Sequence, residues 1–425
     1  MTSDDPVARE PDDPIARALA ESGLAPPATE PDDPLARALA RAGIALPDTA
    51  AAPEAVPPEP TPVTGPRTVT TRAAAPEDGE PAPLPRWPDG AATGVGSMPG
   101  TDPREAAATV VGELPLVPHL PELPARGVGA DMIGRTAGLL VDLAVDVRPT
   151  GYRVVQRPGN EHRRAVDLLR FDVDALDEAC AVTRPSWVKV QAAGPWTLAA
   201  AVELRSGHRV LTDPGAVRDF TESLVEGLRR HVTEVAARTG AQVLVQLDEP
   251  GLPAVLAGSL PTPSKLGAVA AVREAEAQSL LRDVVTSLAD GLRVPVVVHC
   301  CAARPPVRLI ARSGVAGVGI DATAMSGKVD VELLDALGET WDGGTPLLLG
   351  LVPTLPPPGR VTARDLARPA FDLADRLGFE RVRLAALALP TPACGLAGAS
   401  REWARRALRL ARELGEMFAD PPDEG

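Results

Sequence analysis

The sequence is poor in cysteine and in long apolar runs, and each shortage excludes a class of protein. Its 425 residues include 4 cysteines, too few and too unevenly spaced for a disulfide framework, so a reducing compartment is expected. No apolar run approaches the roughly 20 residues that a membrane-spanning helix needs. Neither G-x-G-x-x-G after a strand nor G-x-x-x-x-G-K-[ST] occurs, which argues against dinucleotide and P-loop sites.

Basic residues are outnumbered by acidic ones, 43 to 57, and the formal net charge is -14 at pH 7. Nucleic acids and anionic membrane surfaces are bound by concentrated Lys and Arg, so we expect neither as a main partner. The first ten residues, MTSDDPVARE, are acidic and lack the basic and apolar regions of a secretory signal. A cytoplasmic location is therefore expected.

Residues 1–88 differ in composition from the rest of the chain. They hold 19 of the 47 prolines and many acidic residues, a composition that predicts a disordered tail rich in Pro, Ala and Asp. The segment EPDDPIARALAESGLA from Glu10 recurs from Glu30 as EPDDPLARALARAGIA. The two copies either bind a partner as short linear motifs or are a repeat expansion without a partner, and we favour the second interpretation.

From residue 89 to about residue 420, short apolar runs alternate with longer helical stretches. This alternation predicts repeated βα units, and about eight strands over this length favour a (β/α)8 TIM barrel over an open sheet. The helices include Pro214–Arg238 and Arg401–Met417. The predicted strands are Thr93–Ser97, Tyr152–Val155, Val188–Ala192, Val243–Leu247, Val296–Val298, Val315–Ile320, Leu347–Leu351 and Val382–Ala386.

The strand Val296–Val298 runs directly into His299, Cys300 and Cys301. In a barrel this end of a strand is the catalytic face, and residues two apart project to the same side, so His299 and Cys301 are expected to converge. Cys394 follows the last predicted strand and should lie at the same end. One imidazole and two thiolates with a further open position are typical of a catalytic zinc site. Cys300 should point away and serve packing.

Acidic residues follow two further strands. Asp321 ends one of them and could complete the zinc site, although an Asp there is equally often a solvated residue or a helix cap. Asp248 and Glu249 end the strand Val243–Leu247, where paired carboxylates can bind an ammonium group or move a proton. Alternatively, one of the two points inward while the other caps the next helix.

Two more segments suggest substrate contacts. The run GVGSMPG offers backbone N–H groups and the Ser97 hydroxyl, which suit a substrate carboxylate. The run QAAGPWTL places Trp196 after a strand, where its ring could stack on a flat ligand, although most tryptophans lie in a core.

Six segments occur in the order and approximate spacing of one known family. The chain resembles the catalytic C-terminal barrel of cobalamin-independent methionine synthase over residues 93 to about 415, through GVGSMPG, QAAGPWTL, QLDEPGLP, HCC, GIDAT and PTPACGL. The resemblance implies that His299, Cys301 and Cys394 bind zinc, and Asp321 falls where the family usually has Glu. The match is specific in these zinc motifs and looser elsewhere.

The resemblance also implies a reaction and its substrates. The expected enzyme makes methionine by S-methylation of homocysteine, with zinc lowering the pKa of the substrate thiol. Asp248 matches the acid that contacts the substrate amino group, Ser97 matches the residue that holds the carboxylate, and Trp196 lies near the pterin-facing segment. Glu249 is expected beside them.

Three departures from the family leave the methyl donor open. Full-length members carry an additional N-terminal barrel where this sequence has its Pro-rich tail. The segment 350–357 lacks the histidine of the family's proton relay, and the first carboxylate for the substrate amine has only Glu161 as a weak counterpart. Methyl-folate, with water or Asp248 as the proton route, and a methyl-corrinoid protein both remain candidate donors.

Two alternatives of other kinds also remain. One is a uroporphyrinogen-decarboxylase-like barrel enzyme, which uses no metal. The other is a non-catalytic scaffold or regulatory protein that recruits a partner through its tail.

Overall fold

The computed structural model describes residues 84–325 and 330–421. Both copies of the acidic repeat lie outside the described residues, as does nearly all of the predicted tail. The described chain carries twelve α-helices. They are α1 (Pro103–Glu113), α2 (Met132–Leu139), α3 (Asn160–Thr183), α4 (Pro195–Ala201), α5 (Pro214–Thr239), α6 (Leu252–Ala257), α7 (Glu274–Leu292), α8 (Val307–Ala311), α9 (Val331–Asp342), α10 (Ala363–Leu377), α11 (Leu384–Leu387) and α12 (Arg401–Ala419).

Six parallel strands form the main sheet, and neighbours in the sheet are neighbours in the chain. Nearly every residue in them is buried, as expected when helices cover one face of a parallel sheet and a barrel interior covers the other. The strands are β3 (Trp187–Ala193), β4 (Gln242–Asp248), β5 (Val296–Cys300), β6 (Gly317–Asp321), β7 (Leu347–Val352) and β8 (Ala388–Pro392).

Two extended segments, residues 93–97 and 118–122, close this sheet into a ring. The Thr93 N–H donates to Pro390 O of β8 at 3.2 Å, which joins the first segment to the last strand. The Glu122 N–H donates to Gly96 O at 3.1 Å, and the Leu120 N–H donates to Lys189 O of β3 at 2.8 Å. The chain thus forms an eight-membered ring, and the predicted TIM barrel is confirmed.

Three of the eight predicted strands were wrong in detail. The run Thr93–Ser97 is extended and belongs to the ring, but its hydrogen bonds are too few for a regular strand and Ser97 forms an isolated bridge with Glu122. The run Tyr152–Val155 belongs to an antiparallel hairpin of β1 (Ala144–Arg148) and β2 (Gly151–Val155), which is separate from the ring because local alternation cannot tell a hairpin from a barrel strand. The run Val382–Ala386 lies in helical turns, with Val382 exposed.

The predicted long helices are confirmed and begin at clear capping residues. The Asp213 carboxylate accepts hydrogen bonds from the Gly215 and Ala216 N–H groups at the start of α5, and Pro214 occupies the first position. That helix ends at Gly240, whose φ of 70° is left-handed. Among the described residues, no helix combines the length and apolar character needed to cross a membrane.

The barrel interior is divided into an apolar lower part and a polar upper part. At the bottom, inward-facing side chains form one cluster of Trp87, Ala91, Val117, Trp187, Leu244, Val297, Leu348 and Leu389. Two residues further along β4 lies Gln246, and two beyond that Asp248, because alternate residues of a strand share a face. Polar groups are thereby concentrated at the carboxyl ends of the strands, where barrel enzymes carry their active sites.

Candidate metal and substrate site

Three predicted ligands lie together at the upper end of the barrel. His299 is on β5, Cys301 follows that strand directly, and Cys394 lies in the loop after β8. Their nitrogen and sulfur atoms all lie within 4.8 Å of one another, and the two Sγ atoms are 3.2 Å apart. This group of one imidazole and two thiols has the donor chemistry of a zinc site.

The loop that carries Cys394 is held from two sides. The Ala393 N–H donates to Val352 O at the end of β7, and the Leu396 N–H donates to Ser97 O, both at 2.8 Å. Gly350 makes this approach feasible, because a Cβ there would lie 2.7 Å from both the Ala393 Cα and the Ile320 O. The loop therefore spans the end of the barrel and brings Cys394 to Cys301.

The two ring nitrogens of His299 have different surroundings. Nδ1 lies 2.9 Å from Asp248 Oδ1, whereas Nε2 is buried and has no hydrogen-bond partner among the described residues. Burial opposes the charged ring, but the hydrogen bond to Asp248 and the charge of Cys301 raise the pKa of His299 overall. A buried Nε2 without a partner, on a ring that lies beside two thiols, fits a metal ligand whose Nδ1–H is oriented by a carboxylate.

The two thiols are inequivalent. A hydrogen bond from Cys394 lowers the pKa of Cys301 despite burial, and the nearby imidazole acts in the same direction. The same hydrogen bond, together with burial, raises the pKa of Cys394 well above its usual range. Cys300 is fully buried in the barrel wall and burial raises its pKa strongly, which agrees with its predicted packing role.

Asp321 does not join this group of three. It ends β6 as predicted, but its Oδ1 accepts hydrogen bonds from the Thr323 N–H at 2.9 Å and the Thr323 hydroxyl at 2.6 Å. This is the arrangement of a residue that caps the turn that follows it. A role of Asp321 in metal binding stays a prediction.

A small pocket opens beside the three ligands. Two acidic side chains line it, Asp248 and Glu122, each only 6% exposed. Burial raises the pKa of Glu122 to about 7, although Arg135, with its Nε 3.8 Å from Oε1, acts in the opposite direction. Two carboxylates in one small buried pocket are suited to bind a substrate cation such as an ammonium group.

Ser97 lines the same pocket. Its hydroxyl is buried and is without a hydrogen-bond partner in the described part of the chain. A buried hydroxyl without a partner loses free energy that a bound ligand can restore. A contact of Ser97 with a substrate carboxylate stays a prediction.

Glu249 and Trp196 lie away from this pocket. The Glu249 carboxylate accepts hydrogen bonds from the N–H groups of Trp196 and Thr197 and from the Thr197 hydroxyl, at 2.7 to 3.0 Å, and so caps α4. The Trp196 ring is 2% exposed and donates to Ala277 O at 3.1 Å. Glu249 therefore caps a helix, but this helix is α4, which precedes β4, and not the next helix as the alternative predicted. Substrate contacts of Glu249 and Trp196 stay predictions.

Glu122 is the pocket residue that sequence reasoning missed. It lies in the run Val117-Pro-His-Leu-Pro-Glu122, where two prolines hide the second member of the ring. A usable signal was the acidic residue at the end of the short apolar segment that follows α1. Glu161, the weak candidate for this role, lies instead in the first turn of α3.

Comparison with known proteins identifies the family. Residues 90–417 match the family model described as the catalytic domain of cobalamin-independent synthase. The chain belongs to this family. Membership gives it a methyltransferase-type function, and the resemblance seen in the motifs is confirmed. No protein in the curated comparison set matches.

Solved structures of other proteins are similar to this chain over part of its length. A B12-independent methionine synthase from Shewanella sp. W3-18-1, in complex with selenomethionine, has 15% identity and a TM-score of 0.40, over 63% of this chain and 70% of that one. A methyltransferase from Methanosarcina mazei has 15% identity and a TM-score of 0.41, over 78% and 94%. A β-mannanase from Alicyclobacillus acidocaldarius has 12% identity and a TM-score of 0.38, over 79% and 99%. The family assignment rests on the match over residues 90–417.

Proposed function

We propose that this chain is a zinc-dependent methyltransferase that makes methionine by S-methylation of homocysteine. The observation that carries the proposal is the group of His299, Cys301 and Cys394 beside a pocket with two carboxylates. A substrate with a thiol, an ammonium group and a carboxylate fits this site, because the metal group would bind the thiol, the two acidic side chains the ammonium group and the Ser97 hydroxyl the carboxylate.

His299 Nε2 and the sulfurs of Cys301 and Cys394 would hold the zinc ion. Zinc bound there would favour the thiolate form of a substrate thiol at neutral pH. Asp248 orients the His299 ring through Nδ1, and the lowered pKa of Cys301 favours the thiolate that metal binding requires. These residues form a site that can deprotonate and position a sulfur nucleophile.

The remaining pocket residues would bind the amino-acid part of the substrate. Among the described residues, the hydrogen bonds to the Asp248 carboxylate, from Gln246 and from His299, go to Oδ1, so Oδ2 is available for the substrate ammonium group. The Glu122 carboxylate would bind the same group, and the Ser97 hydroxyl the substrate carboxylate. Holding the substrate at both polar groups restricts its sulfur to one position, which is how positioning lowers a barrier.

The methyl donor is proposed to be 5-methyltetrahydrofolate, in its monoglutamate or polyglutamate form. The description of the family as cobalamin-independent supports this donor over a methyl-corrinoid. In the reaction the substrate sulfur bonds to the methyl carbon while the bond from that carbon to the donor nitrogen breaks, and the donor nitrogen takes up a proton. Asp248 or a water molecule would be the route for that proton.

Metal analysis with a matched pair of variants tests the zinc site. The purified chain should contain about one zinc ion, Cys301→Ala should lose it together with turnover, and Cys300→Ala should retain both because Cys300 packs in the barrel wall. Zinc well below one per chain in the wild type, with no loss of turnover in Cys301→Ala, would contradict the proposal. That outcome would favour a metal-free decarboxylase-like enzyme or a scaffold.

The substrates are tested by supplying homocysteine with methyltetrahydrofolate or with methylcobalamin. Methionine should form with the folate. Methionine with methylcobalamin alone would reassign the donor, and no methionine with either would contradict homocysteine as the acceptor. Deletion of residues 1–83, which leaves Trp87 in its cluster, should not change turnover if the tail is an appendage, whereas a large loss would indicate a role for the acidic repeats.

A further inference from the structure

A fully buried lysine lies inside the barrel, one layer below the metal ligands. Lys189 is on β3 and is 0% exposed. Its Nζ donates to Val95 O at 2.8 Å, to Gln246 Oε1 at 2.8 Å and to Gln191 Oε1 at 3.3 Å. Removing an ammonium group from water is costly, and the layer directly below is filled by apolar residues such as Trp187 and Leu244. An apolar side chain could fill the barrel at this position, so the buried charge of Lys189 calls for a functional explanation.

The hydrogen bonds of Lys189 continue upward to His299. Gln246 uses its oxygen to accept from Lys189 and its Nε2 to donate to Asp248 Oδ1 at 2.8 Å and to Val95 O at 2.9 Å. The same Asp248 oxygen lies 2.9 Å from His299 Nδ1. A continuous path therefore crosses the neighbouring strands β3, β4 and β5.

Each member of this path determines the orientation of the next. Because Lys189 can only donate, the Gln246 amide must turn its oxygen towards Lys189 and its NH₂ group towards Asp248. The Asp248 oxygen is thereby held in place to accept the Nδ1–H of His299. That tautomer leaves Nε2 with a lone pair that can bind a metal ion together with Cys301 and Cys394.

We propose that Lys189 is a positioning residue of the metal centre, which acts through Gln246 and Asp248 to orient His299. The inference rests on the proposed zinc site. It adds Lys189, which is joined through Gln246 to Asp248, the carboxylate that contacts His299. Outer partners of a ligating histidine typically change metal affinity by 10–100-fold when they are removed. Lys189 should have an effect of this kind although it touches no ligand.

A double-mutant cycle on zinc affinity, measured by competition with a chromogenic chelator, tests the path. Lys189→Met, which keeps the length of the side chain, should weaken zinc binding about 10-fold, as should Gln246→Leu. If the two residues act in series, the double variant should bind zinc about as weakly as Gln246→Leu alone. Cobalt-substituted Lys189→Met should also show a changed visible spectrum, because the geometry of the His299 bond is altered.

The control is Ser313→Ala, which removes another fully buried polar side chain, far from the path at the end of α8. It should leave zinc affinity unchanged. Losses that simply add in the double variant, or zinc binding by Lys189→Met within two-fold of the wild type, would overturn the inference. A wild-type chain that binds no zinc would instead overturn the proposed function.

A second measurement needs no variant and holds even if Lys189→Met fails to fold. In the zinc-loaded wild type, nitrogen-detected NMR of His299 should show the proton on Nδ1 and the metal on Nε2. The opposite assignment, with the metal on Nδ1, would break the path at Asp248 and overturn the inference.

Discussion

The six regular strands and the two irregular segments make different contributions to the site. The regular strands and the loop after β8 carry the candidate metal ligands, together with Asp248, which contacts one of them. The segments 93–97 and 118–122 carry Ser97 and Glu122, which line the substrate pocket and do not belong to the metal group. The division suggests that metal binding and substrate recognition can be disrupted separately.

The irregular side of the ring follows from its residue types. Pro118 and Pro121 have no N–H to donate, so the second segment donates to its neighbours through Leu120 and Glu122 and otherwise accepts, through Pro118 O from Lys189 and through Glu122 O from Met98. His119, between the prolines, is only 1% exposed. A regular strand supplies more backbone hydrogen bonds, which is why the irregular side should be the more sensitive to packing.

The largest effects are expected when KM for homocysteine and zinc affinity are compared between Glu122→Gln and Asp248→Asn. Glu122→Gln should raise KM for homocysteine by about 10–100-fold, because a hydrogen bond between opposite charges contributes about 1.5–3 kcal/mol, and it should leave zinc affinity unchanged. Asp248→Asn should raise KM and also weaken zinc binding, since Asp248 contacts both the pocket and His299. Steady-state kinetics and chelator competition measure the two effects.

The variant Glu161→Gln is a suitable control, because Glu161 lies in the first turn of α3. It should leave both quantities unchanged. Weakened zinc binding in Glu122→Gln would show that the two sides of the ring are not separable.

The same division determines how much of the molecule could be predicted from its sequence. On the regular strands, alternation placed His299 and Cys301 on one side, and the rule that barrel strands share a catalytic end added Cys394 and Asp248. On the irregular side, the prolines concealed the segment of Glu122, because no local pattern of alternation survives there. Long-range closure of the ring, through Thr93 and Leu120, is a property that only the folded chain shows.

The packing of the two irregular segments against each other should be sensitive to one methyl group. A Cβ at Gly94 would lie 2.2 Å from the buried His119 ring, so Gly94→Ala should lower the free energy of unfolding by about 1–3 kcal/mol. Gly112→Ala, in α1 with no atom within 4 Å of its new Cβ, should instead raise it by about 0.5–1 kcal/mol. Chemical denaturation measures both. Equal free energies of unfolding for the two variants would contradict the close packing of the two irregular segments.

The pH dependence of substrate binding should also come from the irregular side. The pKa of Glu122 is raised to about 7, and only its carboxylate form binds an ammonium group. Between pH 6 and pH 8 the ionised fraction rises about tenfold, so kcat/KM for homocysteine should rise by up to about the same factor. Glu122→Gln should be the less pH-dependent enzyme in this window. An unchanged profile in that variant would assign the titration to another group.

The smallest effect is expected at Ser97, and it should appear in binding and not in stability. The Ser97 hydroxyl has no partner among the described residues, so Ser97→Ala removes no hydrogen bond within the fold, yet it removes one to the substrate carboxylate. A loss of about 1 kcal/mol corresponds to roughly a five-fold higher KM. Thr340→Val provides the opposite case, because the Thr340 hydroxyl donates to Ala336 O at 2.7 Å within α9, remote from the pocket. Thr340→Val should lower thermal stability and leave KM unchanged. An unchanged KM in Ser97→Ala, or a raised KM in Thr340→Val, would contradict the role of Ser97 in the substrate site.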